Sequence, residues 1–155
     1  MVDIGTQAPD FTLVDTARAS RSLGEFLGKK TVLAFFPGAF TGVCTKEMCT
    51  FQDAMAQLNT LNANVVGISI DGPFASGEFA AKNKITYPLL CDYERSVIKA
   101  YGVELQNFAG LQGYTTAQRS IFILDAKGVV RYKWIAENPG IEPDYQAVMG
   151  ELEKI

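Results

Sequence analysis

An apolar segment that ends at a proline and is followed by a helical pattern constrains the fold more than any other feature. Residues 31–36 read Thr-Val-Leu-Ala-Phe-Phe and end at Pro37, which favours extended geometry in the residue before it. Such a run, bounded by a turn signal, predicts a strand covered on both faces. Residues 37–42 predict a loop, and residues 43–61 predict a helix because apolar side chains recur at spacings of three and four: Met48, Phe51, Met55 and Leu58.

The rest of the chain alternates between strand and helix patterns. Further strands are predicted at residues 11–14, 64–70, 87–91, 120–124 and 129–135, and further helices at residues 23–27, 74–82, 94–101 and 144–154. The last two strands flank Asp125-Ala-Lys-Gly128 and predict a hairpin, whereas residues 105–118 show no period and predict a loop. This order predicts a single α/β domain over residues 1–155, with a central mixed sheet and helices on both faces, compatible with a thioredoxin-like architecture.

Charge and hydropathy exclude several classes of partner. The chain has 155 residues and a net charge of −3 without a long Lys/Arg run, which argues against nucleic acid or an anionic membrane as the principal partner. No stretch approaches the roughly 18 apolar residues that a membrane helix needs. The N-terminus lacks the pattern of a secretory signal, and three cysteines are too few to staple a small domain. We therefore expect a cytoplasmic protein with reduced thiols.

The chain contains no histidine, which narrows the chemistry. Ser-His-Asp catalysis, papain-like Cys-His catalysis and histidine-ligated zinc are all excluded. Any nucleophilic or acid–base work must fall to Cys, Lys, Arg, Asp, Glu, Tyr, Ser or Thr.

Cys44 is the candidate nucleophile because it lies in the first turn of the predicted helix. Free amide N–H groups and the positive end of the helix dipole meet there, and both favour the thiolate, the reactive form of cysteine. The same amides suit an oxyanion or a peroxide oxygen. Thr41, three residues earlier, can place its hydroxyl beside the sulfur. The competing interpretation is a small buried side chain, which is the usual role of a free cysteine.

The pattern Pro-x-x-x-Thr-x-x-Cys, here Pro37, Thr41 and Cys44, resembles the active-site signature of the peroxiredoxins, a family of thiol peroxidases. The likeness covers most of the chain and includes Phe35-Phe36, Cys44-Thr-Lys-Glu47, Ala8-Pro-Asp-Phe-Thr-Leu13, Arg119-Ser-Ile-Phe-Ile-Leu-Asp125 and Gly128. The resemblance implies a thioredoxin-like fold and a chemistry that needs no metal and no organic cofactor. Its substrates would be hydrogen peroxide and small organic hydroperoxides.

The resemblance also implies roles for individual residues. Cys44 would be the peroxidatic cysteine, which attacks a peroxide oxygen and becomes a sulfenic acid. Thr41 would hydrogen-bond the thiolate or the bound peroxide, and Pro37 would shield the sulfenic acid from water. Arg119 would lie beside Cys44, stabilise its thiolate by charge and orient the peroxide. Glu47 would help to hold Arg119 in place.

Four residues separate Cys44 from Cys49, a spacing that resembles the PrxQ or bacterioferritin comigratory protein subgroup, in which the second cysteine resolves the sulfenic acid. In an unbroken helix, residues five apart have Cα atoms roughly 8–9 Å apart. A disulfide requires about 7 Å or less, so this resolution demands local unwinding of the helix. A thioredoxin-like or other dithiol protein would then reduce the disulfide.

Alternative interpretations of the cysteines remain open. Cys49 can instead be a buried helix residue in a one-cysteine peroxidase whose sulfenic acid is resolved by an external thiol. Alternatively, the protein can be a redox-sensing interaction protein in which oxidation of Cys44 switches the binding of a partner. Cys91 is expected to be a packed small side chain, and a zinc site of three cysteines is disfavoured by the wide spacing and the missing fourth ligand. The sequence leaves monomer and homodimer equally open.

Overall fold

A seven-stranded mixed sheet forms the centre of the structure, a computed structural model that describes residues 2–155. Met1, which the predicted domain includes, lies outside the described residues. The strands formed by residues 2–155 are β1 (Thr12–Val14), β2 (Ser20–Ser22), β3 (Lys30–Phe35), β4 (Ala63–Ser69), β5 (Leu89–Cys91), β6 (Glu104–Leu105), β7 (Thr116–Ala117), β8 (Ser120–Leu124) and β9 (Val130–Ile135). The main sheet has the order β2-β1-β5-β4-β3-β8-β9, with β3, β4 and β5 parallel and the remaining pairs antiparallel.

Helices and short 3-10 turns connect the strands. The helices of the described range are α1 (Gly42–Asp53), α2 (Met55–Thr60), α3 (Pro73–Asn83), α4 (Ser96–Ala100) and α5 (Tyr145–Glu153), and the 3-10 turns span Leu23–Phe26 and Phe108–Gly110. The helix predicted over residues 43–61 is two helices, because Ala54 leaves helical geometry with φ −90° and ψ 3°. Within residues 2–155, none of these helices combines the length and the apolar character that crossing a membrane requires.

The central strands bury both faces, which confirms the predicted α/β architecture with helices on both sides. On β3, Val32 and Ala34 pack into the core beneath α1, α2, α3 and α5, whereas Leu33 and Phe35 pack into the opposite core with α4 and the Leu23–Phe26 turn. Strand β8 alternates in the same way. Because successive side chains of a strand point to opposite faces, an uninterrupted apolar run is what a doubly covered strand requires.

Three predictions about the connecting segments need correction. Strand β2 was missed because Ser20-Arg-Ser22 is polar, yet it pairs with β1 at the sheet edge. The helix predicted over residues 94–101 begins only at Ser96, because Arg95 adopts a left-handed conformation with φ 65°. The expected loop over residues 105–118 instead contains a 3-10 turn and the antiparallel pair β6–β7, whose two-residue strands are too short to show a period.

Sheet register brings two distant segments to one edge of the sheet. In the β3–β8 pair, Phe35 lies opposite Ser120, so Arg119 lies next to the point where the chain leaves β3. Helix α1 begins seven residues after β3 ends. The loop at residues 36–41, the first turn of α1 and Arg119 therefore converge at this edge.

Gly67 in β4 lies where a side chain would be excluded. A Cβ atom built there would lie 2.7 Å from Leu89 Cδ2 and 3.3 Å from Met48 Sδ. We expect Gly67→Ala to lower the free energy of unfolding by about 1–3 kcal/mol through overpacking, as measured by urea denaturation.

The matched control is Gly150→Ala in α5, where a Cβ atom would meet no atom within 4 Å. Because alanine has a higher helix propensity than glycine, this variant should be stabilised by about 0.5–1 kcal/mol. Equal stability of the two variants would contradict the close packing at Gly67.

Candidate active site

The junction between β3 and α1 places Cys44 in the first turn of the helix. Thr41 precedes the helix with extended geometry (φ −81°, ψ 149°), and the first helical hydrogen bond runs from Thr45 N–H to the Thr41 carbonyl oxygen. The amides of the three residues between them therefore lack the helical acceptor that later residues have. The Cys44 side chain is fully buried. Its sulfur thus lies at the positive end of the α1 dipole and is shielded from bulk water.

Arg119, which immediately precedes strand β8, reaches the Cys44 sulfur. Its Nη2 atom lies 3.2 Å from Cys44 Sγ, and its Nη1 atom donates to Glu47 Oε1 at 2.7 Å. Its Nε and Nη2 atoms also donate to the Pro139 carbonyl oxygen, at 3.2 Å and 2.9 Å. The guanidinium is only 1% exposed. One buried cation therefore connects α1, β8 and the loop before α5.

The surroundings of Arg119 keep it charged. Burial lowers the pKa of the Arg119 guanidinium, but the Coulomb attraction of Glu47 and Cys44, together with the hydrogen bonds to them, outweighs that effect and raises the pKa above its usual value. A buried cation is tolerated when anionic partners hold it at hydrogen-bond distance. The site is thus arranged to stabilise negative charge at Cys44 Sγ.

Glu47 supplies the carboxyl group of this ion pair through one of its two oxygen atoms. Glu47 is fully buried, and its Oε2 atom has no hydrogen-bond partner among the described residues. Burial raises the pKa of Glu47 to about 7, although the nearby Arg119 charge opposes this rise. Glu47 is therefore a carboxyl group whose charge state changes near neutral pH.

The loop between β3 and α1 encloses the same site. Pro37 is buried and follows the end of β3 closely. The Thr41 hydroxyl donates to the Gly38 carbonyl oxygen at 3.0 Å. Because a hydroxyl has only one proton to donate, the expected bond from Thr41 to the Cys44 thiolate is not made in this structure. Thr41 keeps its acceptor lone pairs for a bound molecule.

Cys49 lies on a different side of α1. Its thiol is partly buried and lies 3.8 Å from Asn83 Oδ1 at the end of α3. Burial, with a smaller contribution from Asp53, raises the pKa of the Cys49 thiol. All three cysteines lie within residues 2–155, and none of them forms a disulfide there. Cys49 is therefore held as a thiol in an intact helix, away from the group formed by Cys44, Glu47 and Arg119.

Cys91 is distant from this site in the sheet order. It ends β5, is 1% exposed and pairs across the sheet with Val14. Burial raises the pKa of the Cys91 thiol, against a hydrogen bond with Ser76 that lowers it. Within residues 2–155, no three His, Cys, Asp or Glu side chains cluster as metal ligands would. These facts agree with the expected packing role of Cys91.

Sequence reasoning missed the loop before α5 as part of the site. Lys46 pairs with Glu142 at 3.0 Å, and the Tyr145 hydroxyl donates to the same carboxylate at 2.8 Å. Arg119 contacts the backbone carbonyl of Pro139. Because every residue has a backbone carbonyl, residue type alone does not predict this contact. The Pro-Gly pair at residues 139–140 indicates only a loop, and nothing local indicates which element that loop meets.

Comparison with known proteins identifies the class of this site. A family model described as the AhpC/TSA family matches residues 4–133, most of the chain. A relative from Coxiella burnetii whose name includes "peroxiredoxin bcp" is 35% identical over 133 residues, covering 86% of this chain and 88% of the relative. The chain is also 38% identical to "Peroxiredoxin Q, chloroplastic" of Triticum aestivum over 99% of its own length, but it spans 66% of that protein.

A solved structure agrees with these relatives. The crystal structure of Peroxidoxin BcpB from Mycobacterium tuberculosis superimposes with a TM-score of 0.88 and 30% identity, covering all of this chain and 99% of the other. The fold is thus that of a peroxiredoxin with a thioredoxin-like architecture. The chain belongs to the AhpC/TSA family of peroxiredoxins.

The pKa of Glu47 leads to a pH-dependent stability. Between about pH 4.5 and pH 7 the folded state keeps the Glu47 proton, whereas the unfolded state loses it. Unfolding then releases a proton, so the free energy of unfolding falls as the pH rises, by roughly 1 kcal/mol per pH unit at most. In urea titrations, the free energy of unfolding of the wild type minus that of Glu47→Gln should therefore become smaller, or more negative, from pH 5 to pH 7.

The exposed carboxyl group of Glu78 provides the control. The variant Glu78→Gln should follow the pH dependence of the wild type. If the free energy of unfolding of the wild type minus that of Glu47→Gln stayed constant or rose from pH 5 to pH 7, the raised pKa of Glu47 would be contradicted.

Proposed function

We propose that this protein reduces hydrogen peroxide and small organic hydroperoxides with Cys44 as the peroxidatic cysteine. The observation that carries the proposal is the 3.2 Å contact between Arg119 Nη2 and the buried Cys44 sulfur at the start of α1. The thiolate attacks one peroxide oxygen, an S–O bond forms and the O–O bond breaks. Cys44 is oxidised to a sulfenic acid, and the leaving oxygen takes a proton to become water or an alcohol.

The neighbouring groups have separate roles in this step. Arg119 neutralises the thiolate and donates to the peroxide, while Glu47 and the Pro139 carbonyl hold the guanidinium in position. Thr41 accepts a hydrogen bond from the peroxide, because its own proton is committed to Gly38. The buried Pro37 shields the sulfenic acid from water.

We propose that Cys49 then resolves the sulfenic acid. Its thiolate attacks the Cys44 sulfur, an S–S bond forms, and the hydroxyl group leaves as water after protonation. A thioredoxin-like dithiol protein reduces the disulfide and returns both thiols. The raised pKa of the partly buried Cys49 thiol supports a requirement for prior opening, since the thiolate is the attacking form.

Two regions of α1 are held by different contacts. Its second half is tied to the segment after α3: the Tyr87 hydroxyl donates to the Met48 carbonyl at 2.7 Å, and Gln52 exchanges hydrogen bonds with Thr86 at 2.8 and 2.9 Å. The first half contacts the loop before α5 through the surface pair Lys46–Glu142, and exposed ion pairs contribute only about 0.2–1 kcal/mol. It is also held by the buried ion pair between Glu47 and Arg119. Unwinding from the N-terminal end must therefore separate Glu47 from Arg119, whereas the contacts of the second half can persist.

The cysteine variants test the two-cysteine cycle against the one-cysteine alternative. After one equivalent of hydrogen peroxide, the wild type should lose two thiols and two hydrogens, mapped by mass spectrometry to Cys44 and Cys49. Cys49→Ser should still form the sulfenic acid but lose thioredoxin-dependent turnover by at least about 100-fold, because no internal thiol remains.

The control is Cys91→Ser, whose buried thiol has no part in the cycle and which should keep turnover per folded molecule. Undiminished turnover of Cys49→Ser with thioredoxin would instead identify a one-cysteine peroxidase. Failure of the wild type to react with peroxide within seconds would overturn the peroxidase proposal itself.

Local unwinding makes a separate prediction. Because the Cα atoms of Cys44 and Cys49 are about 8–9 Å apart in an intact helix, the oxidised protein should lose hydrogen-exchange protection at amides 45–48. Amides 52–53 and those of α5 should keep their protection. Unchanged exchange at amides 45–48 in a protein shown to carry the disulfide would contradict the proposed unwinding.

We further propose that residues 1–155 act as one domain in the cytoplasm. The support for the single domain is that α5 packs Val148 and Leu152 into the same core as β3 and β8. As monomer or homodimer, the protein would need no metal, organic cofactor, nucleic acid or membrane for this reaction.

A further inference from the structure

The carboxylate of Asp71 holds the loop that carries Pro37 and Thr41. Asp71 lies just beyond the end of β4, and its Oδ2 atom accepts a hydrogen bond from the Ala39 amide at 2.8 Å. The buried hydroxyl of Ser69 donates to the same oxygen at 2.7 Å. The backbone of Gly38 also lies against this carboxylate, since a Cβ atom built on Gly38 would be 3.9 Å from both of its oxygens.

This loop contains a strained residue that requires external support. Phe40 has φ 66°, a left-handed conformation that is unfavourable for a bulky side chain. Such backbone strain persists only where the surroundings impose it. The Phe40 ring packs edge-on against Phe79 of α3, with centroids 5.4 Å apart. Asp71 and Phe79 therefore hold the two residues that flank the peptide bond between Ala39 and Phe40.

The hydrogen bonds continue from Asp71 towards the reactive end of the loop. Asp71 fixes the amide of Ala39, and the preceding carbonyl, that of Gly38, accepts the Thr41 hydroxyl proton at 3.0 Å. The orientation of the Thr41 side chain therefore depends on the peptide plane that Asp71 holds. Among the described residues, the hydrogen-bond partners of Asp71 do not include Cys44 or Arg119, so any effect on the reaction passes through the loop.

We propose that Asp71 is a positioning residue for peroxide reduction, which fixes the Pro37–Thr41 loop over Cys44 by accepting the Ala39 amide proton. This inference rests on the proposed reaction of Cys44 with peroxide. Asp71 sets the position of Pro37 and Thr41 relative to the sulfur, whereas Arg119 independently stabilises the thiolate. Misplacement of reacting groups by about 1 Å can lower a rate roughly 100-fold.

The test compares Asp71→Ala with Asp71→Asn in the full reduced chain. The alanine variant removes the acceptor, whereas the amide oxygen of asparagine can occupy the position of Oδ2 and accept both hydrogen bonds. Quenched-flow mass spectrometry measures the second-order rate constant of Cys44 oxidation by hydrogen peroxide. We expect a fall of about 10- to 100-fold for Asp71→Ala, and a rate constant for Asp71→Asn within about threefold of the wild type.

A second readout separates positioning from electrostatics. Alkylation of Cys44 by iodoacetamide requires the thiolate but not the peroxide geometry, so its pH profile should be the same in both variants as in the wild type. If the variants that lose peroxide rate constant also showed a shifted pH profile of alkylation, the positioning role would be overturned. Equal losses in Asp71→Ala and Asp71→Asn would also overturn it, because charge rather than hydrogen-bond acceptance would then matter.

Two further variants guard against a merely structural effect. Asp125→Ala removes a carboxylate that accepts two backbone amides, those of Lys127 and Val129, in the β8–β9 hairpin. It should leave the peroxide rate constant within about twofold. Ser69→Ala removes one of the two hydrogen bonds to Asp71 Oδ2, and its expected loss lies between those of the two Asp71 variants.

The outcomes distinguish this inference from the peroxidase proposal. A wild type that does not react with peroxide would overturn the proposed function. A reactive wild type together with Asp71→Ala at the wild-type rate constant would overturn only the role of Asp71. If the alanine variant does not fold, Asp71→Leu, which keeps the branched shape but removes the acceptor, gives the same test.

Discussion

The buried guanidinium of Arg119 is the interaction on which the rest of the site depends. It is almost fully removed from water, so its charge must be balanced inside the protein. Glu47 and the Cys44 sulfur accept hydrogen bonds from the guanidinium, and the Pro139 carbonyl accepts two more. Three chain segments that are far apart in sequence are thereby fixed around one cation, whose Nη2 atom lies 3.2 Å from the Cys44 sulfur.

One cation shared by two acidic groups also sets the electrostatic character of the site. Glu47 and the Cys44 sulfur both lie within hydrogen-bond distance of the same guanidinium. Within residues 2–155 the Oε2 atom of Glu47 has no partner, and burial raises the pKa of Glu47 to about 7. The charge on Glu47, and with it the strength of its ion pair with Arg119, therefore changes near neutral pH.

In the proposed two-cysteine cycle, helix α1 has to satisfy two opposing requirements. Its first turn would present amides and Cys44 to the substrate, but the same turns would have to open before Cys49 could reach the sulfur. The second half of the helix is tied to the segment after α3 through Met48 and Gln52, whereas the first half is tied to the site itself through the buried Glu47–Arg119 pair. Opening of the first turns would therefore break the ion pair that orients Arg119. The loop before the helix is instead fixed from outside, by Asp71.

Periodicity and turn residues, which act over a few positions, were enough to predict the strand–loop–helix order and the place of Cys44 in the first helical turn. The absence of histidine likewise restricted the chemistry, because no arrangement of the chain can supply an imidazole that the composition lacks. Local patterns failed at Ala54 and Arg95, where backbone geometry breaks the predicted helices.

The groups that surround the sulfur depend on the tertiary structure, because they come from distant parts of the chain. Arg119 lies 75 residues from Cys44 in the chain, and its likeness to a family residue suggested the contact without specifying its geometry. The Pro139 carbonyl and the Asp71 carboxylate gave no local signal at all. Their contacts arise from the register of β3 with β8 and the parallel pairing of β3 with β4, and such long-range pairing follows from packing of the whole sheet rather than from neighbouring residues.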